Sequence, residues 1–155
     1  MDCEASSLSA NSYPVEIAWS APDGSVESHL VKPAPDWDDW SELSEEVHGI
    51  RRERLLAEGL PAWAVARRMN ESLAGEILYS DAPAFDAFWI ERLFGQHGED
   101  PAFEIRHADL AFGVAPERLA ELTPRAWELA GGRAHRAADD VRHLVELYRL
   151  CRHGG

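Results

Sequence analysis

The sequence predicts an α/β domain built on a mixed sheet flanked by helices. Three observations point there. The run Tyr13-Pro-Val-Glu-Ile-Ala-Trp19 alternates apolar and other residues, and a turn signal and a second strand-like run follow it. Segments of helical periodicity then alternate with short apolar stretches at 76–79 and 102–105. The last third of the chain is helical in pattern throughout.

Each element has a local reason. Val15, Ile17 and Trp19 share one face of the first long strand. Ala21-Pro-Asp-Gly24 supplies a turn, so Ser25 to Lys32 reads as the returning strand of a hairpin. Lys32-Pro-Ala-Pro-Asp36 then breaks regular structure. Ser41 caps a helix to Val47, and Arg51 to Glu58 ends at Gly59. Pro61 opens a helix running to about Ala74. Pro83 to Phe94 clusters Phe85, Phe88, Trp89 and Leu93 at helical spacing. Pro116 to Leu122 and Pro124 to Ala130 read as two helices because each starts at a proline. Gly131-Gly132 ends them, and His135 precedes a final helix with Val141, Leu144, Val145 and Tyr148 on its apolar side.

The 155 residues, 45% of them hydrophobic, suffice for one domain over 1–153 with its own core. No apolar run approaches the roughly 20 residues of a membrane span, so no membrane partner is expected. The start lacks the basic and apolar regions of a secretory leader. Cys3 and Cys151 make neither a metal-ligand spacing nor a framework of bridges. A reduced, cytoplasmic protein is the expectation. The net charge of −13, with Lys32 as the one lysine, argues against tight binding to long duplexes.

Four acids and one histidine stand out by spacing. Asp2-Cys-Glu4 is the one Asp-x-Glu in the chain, and on a strand both carboxylates share a face. An isolated pair of this kind is otherwise a solvated terminus. Asp86 falls in the first turn of an aromatic helix, where the helix dipole alone would favour an acid. Of seven histidines, only His135 has an aspartate, Asp140, five residues later.

In this order, Asp2/Glu4, Phe85-Asp86 and His135-x-Ala with Asp140 resemble the three exonuclease motifs of the DEDDh 3′→5′ exonucleases, the relatives of RNase T, oligoribonuclease and the polymerase proofreading subunit. Tyr13-Pro-Val-Glu-Ile, including Glu16, is similar to that family's second strand. Val47-His-Gly-Ile50 is similar to a segment that lies beside the substrate end, although Gly49 serves equally as a helix terminator. The family's His-Asn before the second motif is replaced here by Asp81-Ala82, which leaves Asp81 as a rival to Asp86.

The resemblance implies a ribonuclease-H-like fold and a two-metal phosphodiesterase. Asp2, Glu4, Asp86 and Asp140 would hold two Mg²⁺ or Mn²⁺ ions, hard cations suited to oxygen ligands. His135 would act as general base, since an imidazole titrates at about 6.5. Ala5, Ser6, Ser7 and His48 would meet the terminal nucleotide. The implied partners are single-stranded nucleic-acid ends or short oligonucleotides, RNA or DNA. Two bound cations would neutralise much of the local acidity. The alternative is a non-catalytic module of the same fold with a binding or regulatory role.

Two further expectations concern surfaces. Only Met1 precedes Asp2, so the first strand is either truncated or continued by residues upstream of the sequence. A truncated strand would fray and expose neighbouring edges, through which two copies could associate as a homodimer. Arg51, Arg52, Arg54, Arg67 and Arg68 are candidates for a phosphate track or, more simply, solvated helix faces. Trp37 and Trp40 flank Asp38-Asp39 and read first as packing residues.

Overall fold

A computed structural model describes residues 1–153. The order is β1 (Asp2–Ala5), β2 (Pro14–Ser20), β3 (Val26–Lys32), α1 (Glu42–His48), α2 (Arg52–Glu58), β4 (Leu60–Pro61), α3 (Ala62–Leu73), β5 (Ile77–Ser80), α4 (Pro83–Phe94), β6 (Glu104–His107), α5 (Asp109–Phe112), α6 (Pro116–Ala130) and α7 (Ala137–His153). The strands form a four-stranded sheet, β1-β2-β3-β4, and a parallel pair, β5-β6. β1, β2 and β3 are antiparallel neighbours, and the two-residue β4 joins β3 in parallel, which makes the sheet mixed. None of the described helices is long and apolar enough to cross a membrane.

The hairpin between β2 and β3 closes where the sequence places it. Gly24 adopts φ 84°, a conformation that suits glycine, and Ser25 N donates to Asp23 Oδ1 at 2.8 Å. The register pairs Asp2 with Ala18, Cys3 with Ile17 and Glu4 with Glu16. Paired residues point to the same face. Cys3, Ala5, Val15, Ile17 and Trp19 therefore meet α3 and α4 in the main core. On the opposite face Ala18 packs against Ala137 and Val141 of α7. β2 is buried on both sides, and this explains why its Glu16 is as inaccessible as its apolar neighbours.

Four elements differ from expectation. α6 is a single helix through Pro124. A proline cannot donate to the carbonyl four residues back, and packing carries the helix across it, since Leu122 and Ala126 are buried on either side. The short β4 and α5 have no periodicity long enough to announce them. β1, which truncation alone would leave to fray, is held in place: Met1 is 4% exposed, and its amino group donates to Tyr79 O at 2.6 Å, linking the sheet to β5.

Candidate functional site

β1 sorts its residues by parity. Cys3 and Ala5 enter the main core, while Asp2 and Glu4 turn toward α7. α7 begins after a tight turn in which Gly131, Gly132 and His135 all have positive φ. That turn brings Asp140, in the first turn of α7, over the same face. Oxygens of Asp2, Glu4 and Asp140 lie within 4.8 Å of one another. Asp140 Oδ2 accepts the backbone N–H of Arg136 at 3.0 Å, which orients the carboxylate.

The electrostatics reflect crowding. Burial, then the charges of Asp86 and Glu4, push Asp2 well above the usual carboxylate range. Burial, followed by Asp140 and Glu16, pushes Glu4 up to about 8 against the opposing pull of Arg136. Burial lifts Asp140 to about 6, although backbone N–H groups of Arg136 and His135 favour its ionised form. Asp2 Oδ2 is buried with no hydrogen-bond partner. Like charges out of water favour protonation unless a cation joins them. An all-oxygen donor set with one unpartnered oxygen fits a hard divalent ion.

The other residues singled out by sequence occupy different settings. Asp86 is 1% exposed and stands outside the three-carboxylate group. α4 packs on the Cys3 face of the sheet, so Asp86 is turned into the core, where the Ser80 hydroxyl and the Cys3 thiol donate to it. Its charge nonetheless acts on Asp2 and Glu4. Asp81, exposed on the β5–α4 loop, acts on Asp2, Asp86 and Asp140 alike. The exposed His135 lies close enough for its charge to favour ionised Asp140.

Ala5, Ser6 and Ser7 are buried. Both serine hydroxyls donate to Asp39 Oδ2, at 3.0 and 2.6 Å, and this fixes the β1–β2 loop against 36–40. His48, expected beside the substrate, is 2% exposed; its Nδ1 accepts from Ile50 N at 3.0 Å, and Trp40 packs edge-on against the ring. Here the helix-terminator reading of Gly49 holds, at φ 71°. Arg52, Arg54, Arg67 and Arg68 are engaged with Trp37 O, Glu58, Glu71 and Glu27, not arrayed as a track.

Arg136 was not among the residues singled out. Its guanidinium grips Glu16 with two hydrogen bonds of 2.9 Å beside the carboxylates. The available signals were an acid at the centre of an apolar strand and a cation directly after His135.

Solved structures resolve the fold. A zinc-bound form of E. coli exonuclease I in complex with single-stranded DNA matches with a TM-score of 0.65 and 19% identity, over 97% of this chain and 38% of that one. E. coli exonuclease I with a 5cy-dA13 oligonucleotide matches with a TM-score of 0.65 and 18% identity, over 97% of this chain and 41% of that one. The fold is ribonuclease-H-like. This chain spans about two fifths of the exonuclease I chains it matches. No protein-family model matches the sequence. Nor does any curated protein.

Proposed function

We propose that this chain is a divalent-cation-dependent nuclease that removes nucleotides from the 3′ ends of single-stranded nucleic acid or short oligonucleotides. The observation that carries the reading is the convergence of Asp2, Glu4 and Asp140 within 4.8 Å on a fold shared with an exonuclease. Asp2, Glu4 and Asp140 would hold Mg²⁺ or Mn²⁺, which would supply polarisation of the phosphate and a more acidic water. His135 stands exposed at the turn before α7, where its imidazole can accept a proton as general base. Asp86 contributes field from behind Asp2 rather than a ligand oxygen. Single-stranded substrate is favoured by the DNA complexes of exonuclease I and by the −13 net charge, which suits a short grip on a strand end.

The test is a 5′-labelled oligonucleotide incubated with the protein in Mg²⁺ or Mn²⁺. Stepwise shortening from the 3′ end, blocked by chelator and by Asp140→Asn, supports the assignment; an intact ladder in both metals overturns it. A second reading, a non-catalytic module, draws on Asp86 standing outside the carboxylate group. It predicts cation-dependent oligonucleotide binding without shortening in the same assay.

A further inference from the structure

We propose that Glu16 and Arg136 are positioning residues: the pair of buried Glu16 and half-buried Arg136 sets the start of α7 so that Asp140 meets Asp2 and Glu4. The inference rests on the cation reading above and adds residues that touch neither cation nor substrate.

Glu16 sits at the centre of β2, 3% exposed, directly opposite Glu4 in the register. It accepts three hydrogen bonds from one short stretch 120 residues away. Arg136 Nε and Nη2 each donate at 2.9 Å, and the backbone N–H of Ala137 donates at 3.0 Å. The third bond satisfies one of the amides that a helix start leaves without an internal partner. The same residue works in both directions, since Arg136 N–H donates to Asp140 Oδ2 at 3.0 Å. Residues 136 and 137 are thus fastened to the sheet by Glu16 and to the carboxylate cluster by Asp140.

Such a fastening answers a physical need. When ionised, Asp2, Glu4 and Asp140 repel one another, and the repulsion opposes the approach of α7 to β1. The turn before α7 contains His135 at φ 64°, an uncommon conformation for a non-glycine residue that its surroundings must hold. A planar guanidinium gripping a carboxylate with two parallel bonds fixes orientation as well as distance. A buried ion pair is weak as a source of stability, and its better-attested use is to specify one arrangement. Here the specified arrangement is the approach of Asp140 to Glu4.

The test separates positioning from bulk stability. Glu16→Gln keeps the shape of the side chain and removes its charge; Arg136→Lys keeps the charge and removes the fork. Val65→Ala, in the main core on α3, serves as a destabilised control away from the site. Mn²⁺ affinity is measured by calorimetry at a temperature where circular dichroism finds each variant folded. Glu16→Gln and Arg136→Lys are expected to weaken Mn²⁺ binding by about 10–100-fold, the usual effect of removing a group that orients a ligand. Val65→Ala is expected to leave it within about 3-fold.

Amide hydrogen exchange in cation-free protein gives a readout independent of metal uptake. Exchange at 136–140 is expected to rise at least tenfold in Glu16→Gln, with α3 unchanged. Unaltered exchange at 136–140, or Mn²⁺ affinity no weaker than in the core control, overturns the positioning role. Absence of Mn²⁺ uptake by the unsubstituted protein overturns the cation reading instead, and the exchange comparison then decides the positioning claim by itself.

Discussion

The two faces of β1 hold the same kind of residue in opposite circumstances. On one face, Asp140 in the first turn of α7 meets Asp2 and Glu4. On the other, Asp86 in the first turn of α4 is enclosed with Ser80 and Cys3. Burial lifts both helix-start aspartates to about 6. A raised carboxylate therefore reports burial, whatever its role. What separates the two is the company: Asp140 meets Asp2 and Glu4 within 4.8 Å as well as its backbone donors, whereas Asp86 meets the Ser80 hydroxyl and the Cys3 thiol.

The most damaging substitution should be Asp140→Asn. Removing a ligand should weaken Mn²⁺ binding by more than the roughly 10–100-fold typical of losing a supporting group, and should reduce hydrolysis to background. Asp86→Asn, which removes a nearby charge but no ligand, should weaken Mn²⁺ binding by much less. Calorimetry on both variants checks the contrast, and equal losses would show that both faces serve the cation. His135→Ala comes next. Loss of a general base lowers hydrolysis by about 10²–10⁴-fold while cation affinity stays unchanged. Single-turnover assays alongside calorimetry separate these two quantities.

The third prediction concerns stability and pH. The folded pKa of Asp86, about 6, lies above its ordinary value of 3.8. Between these values the native state binds more protons than the unfolded chain, so stability falls as pH rises from about 4 to 6. Above pH 6 the full cost, about 3 kcal/mol, is present. Asp86→Asn carries no such titration. Urea unfolding of chelator-treated protein should find the variant more stable at pH 7.5 by up to about 3 kcal/mol and nearly equal to the unsubstituted protein at pH 4.

Why some of this was legible in sequence follows from range. The β2–β3 hairpin, the α3 and α4 helices and the parity of Asp2 and Glu4 depend on spacing within a few residues, which the sequence displays. The face occupied by α4 relative to α7 is a long-range fact. A first-turn aspartate after Phe85 reads the same whether its helix packs on the Cys3 face or the Glu4 face, and so Asp86 read as a fourth ligand. The surroundings of His48 and Ser6 lie outside their motifs: Trp40 packs against His48, and Asp39, more than 30 residues away, accepts from Ser6. Pro124 suggested a break because the burial of Leu122 and Ala126 on either side of it is a long-range fact.

The smallest effect sharpens the contrast by its sign. Ser80 is fully buried; its hydroxyl donates to Asp86 and accepts Ala82 N at 2.9 Å, so it serves both the acid and the entry to α4. Ser80→Ala removes a bond to an ionised partner at pH 7.5 and should destabilise by about 1.5–3 kcal/mol, opposite in direction to Asp86→Asn. Because this bond favours the charged form of Asp86, its removal raises that carboxyl further, and the loss should shrink toward pH 4, where both proteins hold it protonated. Mn²⁺ affinity should not change. In the Asp86→Asn background the same Ser80→Ala change should cost less, about 1 kcal/mol, since the partner is then neutral. A double-mutant cycle in urea measures the difference. A cycle that closes to zero would mean that Ser80 supports α4 through Ala82 alone, and that the enclosure of Asp86 is not what distinguishes the two faces of β1.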